Sequence, residues 1–235
     1  MTTRTIIECR SCGAGAPADA HFCPQCSRIL SLGRDGDYFS FLGLPRRLAL
    51  NVADIERRFR DLSRRFHPDY FYNAPAAERL ASLERSSYLN DAYRVLRNKV
   101  TRVEYLLGLE GLAPTKTDGG AAKVPPALLE EVFALNESLE EIRELREAGA
   151  DPASLLSRLE AARKPIERKR DEHERQLAGL SVQWDERQDR ATLEALRERM
   201  LERNYINNLL ATIDREMAAI GNAVGADLQV RRGPA

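Results

Sequence analysis

The chain has 235 residues, with 36 basic and 36 acidic side chains that cancel, so no global field draws it toward nucleic acid or an anionic membrane. Charged residues make up 31% of it, against 14 glycines and 11 prolines, and Arg, Glu, Leu and Ala dominate while β-branched residues are scarce. That composition points to a helix bundle rather than to sheets. Hydrophobic runs are too short and too often broken by charge to span a bilayer, and the opening MTTRTIIECRSC has neither an apolar signal core nor an Arg-rich leader, so a cytoplasmic location with no membrane partner is expected.

The four cysteines fall within the first 26 residues, as Cys9-x2-Cys12, ten residues, then Cys23-x2-Cys26. Each pair brings two thiolates to one side of a tight turn, and Gly13 eases the backbone after the first. Four thiolates at tetrahedral positions suit Zn²⁺ at about 2.3 Å per bond. So short a segment has no core, and the metal would supply its folding free energy. A redox dithiol would need a βαβ scaffold, which is absent. The expectation is a small zinc ribbon over residues 1–33 holding a structural ion, with His21 a loop histidine outside the completed shell. Whether the ribbon binds nucleic acid, binds protein, caps a domain or pairs two chains into a homodimer stays open at this point.

Helical patterning begins near Asp37. DYFSFLGL predicts a short aromatic helix ended by Gly43 and Pro45. Asn51 is a good N-cap for a longer helix, with Asp54 favouring its first turn. Ile55, Phe59, Leu62 and Phe66 then form one apolar stripe, until Pro68 stops the helix for want of an N–H. A further helix is expected over about 75–98, carrying Leu80, Leu83, Leu89, Ala92, Tyr93 and Leu96. TRVEYLLGLEG predicts a short helix closing at Gly111, and residues 113–125 read as a linker. Three long helices follow over 126–222, from which an antiparallel three-helix bundle is expected. The first stops at Gly149, where Asp151-Pro152 starts the second. The second runs to about Leu177 with Pro165 as a kink or break, and the third runs from about Val182 to Ile220. The last residues, 223–235, read as a frayed tail.

His67-Pro68-Asp69 calls for an explanation. A His–Asp pair could serve general-base chemistry, but no motif positions a nucleophile or a phosphate loop, and adjacent His and Asp across a proline are expected to splay apart. The chain is therefore expected not to be an enzyme. Arg57, Arg60 and Arg64, with Arg58 and Arg65 beside them, make a positive stripe leading into the turn, a layout suited to docking on an acidic protein surface.

Taken together, the short aromatic helix, the basic helix, HPD and LNDAYRVL resemble a J-domain over residues 34–112, the module that stimulates ATP hydrolysis by DnaK-type chaperones. The resemblance implies that the basic face (Arg57, Arg58, Arg60, Arg64 and Arg65) and the loop His67, Pro68 and Asp69 meet the chaperone. Three stretches, DYFSFLGLP, RFHPDYFY and RVEYLLGLEGL, followed by an acidic helical domain, are similar to HscB-type co-chaperones of iron–sulfur cluster assembly. FCPQC is similar to that family's zinc-bearing subgroup. The resemblance implies that the C-terminal domain binds the cluster scaffold protein through Leu129, Phe133, Glu137 and Glu141, with Tyr205 from the last helix. Tyr70 stands where relatives often carry lysine, and Glu130 and Ala134 where they carry methionine and glutamate.

Spacing alone favours burying Leu129 and Phe133 in the bundle, yet Leu128, Val132, Leu135, Leu139 and Ile142 form a second stripe able to fill that core. More apolar surface than a bundle needs argues for a partner. The function expected is an adaptor that carries the scaffold to a DnaK-type ATPase. The alternatives are a J-protein for another client and a zinc-ribbon nucleic-acid binder. The latter is poorly served by residues 126–220, whose 21 acidic and 15 basic side chains net −6. RKPIERKR reads as a solvated face.

Overall fold

The computed structural model of the protein describes residues 6–33, 36–113 and 124–232, with backbone alone from 223. Most of the expected linker, 114–123, lies outside the described residues. The expected tail is helical as far as Arg232. Two compact units emerge. One comprises the described part of Met1–Leu109 with Trp184–Glu186; the other comprises the rest of the described chain. No described helix is long and apolar enough to cross a membrane.

The first unit opens with a hairpin of β1 (Ile6–Glu8) and β2 (Gly15–Pro17), antiparallel in the register Ile7↔Ala16. Helix α1 (Tyr38–Phe41) is a single turn capped reciprocally: Asp37 Oδ1 accepts from Ser40 N at 2.7 Å and Asp37 N donates to Ser40 Oγ at 3.1 Å. It ends at Gly43, whose φ of +62° favours glycine, and whose added Cβ would lie 2.8 Å from an Arg58 guanidinium nitrogen.

Asn51 caps α2 (Val52–Phe66) by accepting from Ala53 N at 2.9 Å. α3 (Ala76–Arg97) runs back along it. Their antiparallel register is read from three contacts: Phe66 beside Ser82 and Ser86, Phe59 stacked on Tyr93 at 4.2 Å, and Glu56 paired with Arg97 at 3.5 Å. α4 (Lys99–Leu109) closes the unit. Its buried Arg102 donates to the carbonyls of Leu96 and Leu48 at 2.7 and 2.5 Å. Phe39, Phe41, Ile55, Leu62, Phe66, Leu89 and Leu96 form the core.

One expectation for α3 is corrected. Leu80 and Leu83 are not on its inward face; they are 54% and 55% exposed, while Glu78, Ser82 and Arg85 are buried. The inward face is polar there because Glu78 and Arg85 meet the N-terminal module while Ser82 meets the Phe66 carbonyl of α2.

In the second unit a 3₁₀ turn at Pro126–Leu128 leads into α5 (Leu129–Glu147). Gly149, at φ +78°, closes α5 by donating to Arg146 O at 3.0 Å, and Asp151 then caps α6 (Pro152–Arg187). α7 (Arg190–Arg232) follows. The break between these two helices is not near residues 178–181, as the sequence led us to expect. Gly179 is tolerated inside α6, as is Pro165, and the turn comes at Gln188, in the left-handed region at φ +49°, with Asp189 capping α7 through Thr192 N at 2.7 Å. Successive helices run antiparallel, as the pairs Glu131–Lys169 and Glu141–Arg158, and then Asp214–Arg163 and Glu202–His173, require. The α5 stripe Leu128, Leu135, Leu139 and Ile142 packs with Leu155, Leu159 and Ile166 of α6 and Ile206, Leu210, Ile213 and Ile220 of α7.

A polar group interrupts the α6–α7 seam. His173 and Glu202 are both buried, with His173 Nε2 3.3 Å from Glu202 Oε2 but not aligned as a hydrogen bond. Arg199 holds the same carboxylate oxygen at 2.7 Å. Burial first, then the Arg199 and Arg203 charges, push the His173 imidazole down to about 4, and burial moves Glu202 upward. Between about pH 6.5 and 4 the unfolded imidazole takes a proton that the folded one refuses, so His173 costs stability as pH falls through that window. Glu202 acts in the opposite sense, taking up a proton on folding. Protection of α6 and α7 core amides against exchange is therefore expected to fall from pH 7 to pH 5 by on the order of 1–2 kcal/mol, and His173→Gln to flatten that slope. An equal slope in the variant would remove His173 as its source.

Candidate functional site

Two turns of the same build hold the cysteines. Gly13 N donates to Cys9 O at 2.8 Å and Ser27 N to Cys23 O at 2.9 Å, and each donor follows its cysteine by four residues in the left-handed region, at φ 73° and 58°. The Cys9–Cys26 and Cys12–Cys23 sulfurs are 3.7 Å apart, and all four lie within 4.8 Å of one another. A tetrahedron with bonds of about 2.3 Å has edges of about 3.8 Å, whereas a disulfide needs about 2.05 Å, so the donor set fits one tetrahedral metal ion. His21 stands apart from the donor cluster, as expected, but it is no idle loop residue: its ring bridges Arg85 and the Phe41 carbonyl.

The α2 stripe delivers its arginines unequally. Arg57, Arg60, Arg64 and Arg65 are exposed; Arg57 pairs with Asp54 at 2.8 Å and Arg65 lies 4.4 Å over the Phe22 ring. Arg58 departs from the expected docking face. It donates to Leu42 O and Gly43 O at 3.1 and 2.6 Å, because the carbonyls ending α1 need donors and Gly43 leaves room for the guanidinium.

At the end of α2, Phe66 O accepts from Ser82 Oγ at 2.6 Å and Ser86 Oγ at 3.0 Å. Pro68 starts a 3₁₀ turn over Pro68–Phe71 in which Tyr70 N donates to His67 O at 3.0 Å. His67 and Asp69 stand in solvent, with Tyr70 and Tyr72 exposed beside them. The expected splaying of the pair is corrected: His67 Nδ1 turns back to accept from Asp69 N at 3.3 Å and lies 3.4 Å from the Asp69 carboxylate. Accepting at Nδ1 puts the neutral ring's proton on Nε2, so the corner presents an outward N–H beside an outward carboxylate.

On α5 the two stripes separate. Leu128, Val132, Leu135, Leu139 and Ile142 are buried, while Leu129 is 41% and Phe133 70% exposed. Glu137 and Glu141 share that outer side, Glu141 bonding Arg158 at 2.5 Å. Tyr205 is half-buried against the bundle core.

Sequence reasoning missed Ser82, Ser86 and Arg85, none of which carries a local signal, whereas Gly43 was read as the helix-ending glycine that it is.

A DnaJ domain model matches residues 37–105. The crystal structure of human co-chaperone protein HscB is 26% identical, covers 89% of this chain and 98% of its own, and superposes with a TM-score of 0.65. Chaperone HscB from Vibrio cholerae is also 26% identical, at 79% and 99% coverage and a TM-score of 0.54. This chain carries a DnaJ domain and is similar to HscB co-chaperones over most of its length. The HscB likeness takes in both helical units, and the DnaJ match takes in the basic helix and His67-Pro68-Asp69.

Ser82 is the buried hydroxyl nearest that corner. Ser82→Ala is expected to cost about 1 kcal/mol of stability and to speed amide exchange at Asp69 and Tyr70. Denaturant unfolding and exchange on the same sample check both effects, and unchanged exchange would mean that Ser86 alone anchors the carbonyl.

Proposed function

We propose that the protein is a non-enzymatic adaptor of iron–sulfur cluster assembly, acting in the cytoplasm. Its second unit binds the scaffold protein on which clusters are built, and its J-domain docks on a DnaK-type ATPase and stimulates hydrolysis. The observation that carries this reading is the pairing of two unburied features in one chain. One unit exposes a His-Pro-Asp corner at the end of a basic helix. The other exposes Leu129 and Phe133 although a separate stripe fills its core.

Each part has a physical role. The exposed arginines Arg57, Arg60 and Arg64 steer the approach to an acidic surface. Pro68 fixes the turn, His67 offers its Nε2–H and Asp69 its carboxylate, while the groups that hydrolyse ATP belong to the partner. Leu129 and Phe133 supply apolar contact area to the scaffold, ringed by Glu137 and Glu141, and Tyr205 adds an aromatic edge from α7. Holding both partners raises the effective concentration of scaffold at the ATPase. We assign the four-cysteine ion as structural Zn²⁺, as in the zinc-bearing subgroup.

Steady-state ATPase of a DnaK-type chaperone, with and without scaffold, tests the reading. His67→Gln is expected to abolish stimulation with scaffold affinity unchanged; surviving stimulation would discard the corner as the signal. Leu129→Ser/Phe133→Ser is expected to weaken scaffold binding about 10- to 100-fold with the chaperone's basal stimulation intact. Failure of the wild type to bind scaffold would leave a J-protein serving another client. Retention on a polyanion column at physiological salt would favour the nucleic-acid reading instead.

A further inference from the structure

Within the first unit, the cysteine module meets the base of the His-Pro-Asp corner. Phe22, next to Cys23, stacks on Phe66, the last residue of α2, with centroids 5.9 Å and planes 26° apart. The Arg65 guanidinium lies over the same Phe22 ring at 4.4 Å. His21 sets its ring edge-on to Phe41 and Phe66 at 4.8 and 5.0 Å, and its Nε2 bonds Phe41 O at 3.0 Å. From α3 the buried Arg85 donates to Leu30 O at 2.8 Å, Ser31 O at 3.0 Å, Ala20 O at 3.2 Å and His21 Nδ1 at 2.8 Å. Arg28 of the module adds a 3.2 Å pair with the buried Glu78.

Arg65 apart, these contacts use no residue of the expected docking face, and a buried guanidinium whose acceptors all come from the module would be left unsatisfied without it. Phe66 is thus gripped twice. Its carbonyl is held by Ser82 and Ser86, and its ring by two residues whose backbone enters the second cysteine turn. His67 follows immediately.

We propose that His21 and Phe22 are positioning residues for the His67-Pro68-Asp69 corner, transmitting to it the metal-bound state of the four-cysteine module. With Cys23 and Cys26 on one ion, the turn behind Phe22 is rigid and its ring stays on Phe66. When the ion leaves, that turn loosens, Phe22 withdraws, and the last turn of α2 frays. The corner then spends a smaller fraction of time in the orientation the ATPase accepts, which raises the apparent dissociation constant and leaves the saturated response unchanged. The ATPase half of this inference rests on the function proposed above; the mechanical half does not.

The test uses the full chain in four forms: wild type, wild type stripped with a zinc chelator, Phe22→Leu, which keeps apolar volume and loses the ring, and Phe22→Tyr, which keeps the ring. Amide exchange over residues 66–72 is read with no partner present; chaperone ATPase is then titrated, and scaffold affinity serves as control. In the stripped and Phe22→Leu forms we expect faster exchange at the Tyr70 and Tyr72 amides. We also expect about a tenfold rise in the half-maximal concentration, the order that one aromatic stack and one cation–π contact supply together. Maximal stimulation and scaffold affinity are expected to be unchanged, and Phe22→Tyr to match wild type. If Phe22→Leu fails to retain zinc, the stripped and loaded wild type carry the same comparison. Unchanged exchange in the stripped and Phe22→Leu forms overturns the proposal, as does altered exchange with an unmoved half-maximal concentration. A wild type that stimulates no DnaK-type ATPase removes the function proposed above, and exchange still decides the coupling.

Discussion

Pro68 cannot donate a backbone hydrogen bond, and the geometry of the His67-Pro68-Asp69 corner follows from that deficiency. A helix ending on X-Pro leaves its last carbonyls without intrahelical partners, and near a buried ring such as Phe66 they cannot all turn to water. α3 meets the need with two hydroxyls, from Ser82 and Ser86, one turn apart on the face that α2 covers. The chain therefore leaves α2 at an angle set by a different helix. His67 closes the turn by accepting from Asp69 N, which holds its imidazole to the loop without burying it. A corner made in this way is held at its root and open at its tip.

The second unit divides its apolar surface between core and solvent on a single helix. α5 carries two apolar stripes; one packs with α6 and α7, and the other stays in solvent. The separation protects the fold: changes to the exposed Leu129 or Phe133 open no cavity, whereas changes to Leu135 or Leu139 would open one.

Much of this was legible because it is local. Asn51 as a cap, Pro68 as a stop and the cysteine spacing act within a few residues, and each appears in the structure as the pattern predicts. The division of α5 into two stripes was also visible, although spacing alone favoured burying Leu129 and Phe133. What stayed hidden depends on partners distant along the chain. Leu80 and Leu83 read with the apolar residues of α3, and Arg85 and Glu78 pass unnoticed, because nothing near them announces that residues 20–31 cover the other side of α3. Arg58 matches its neighbouring arginines in sequence, and only the carbonyls of α1 set it apart. The α6–α7 turn at Gln188 was missed because glutamine carries no signal for a left-handed backbone.

The unequal helix lengths in the second unit have a further result. α5 has 19 residues against 36 in α6 and 43 in α7, and its first turn sits opposite Lys169, so α6 and α7 continue past it as a two-stranded shaft. Two helices with a uniform leucine seam can slide by a turn at small cost. His173, Glu202 and Arg199 occupy that seam just beyond the end of α5. Arg199 sits three residues before Glu202 on α7 and would travel with it, but a slide by one turn would carry His173 of α6 away from the buried Glu202 carboxylate and leave each polar group facing leucine. The polar group thus acts as a detent, holding the long pair in a single alignment where no third helix enforces one.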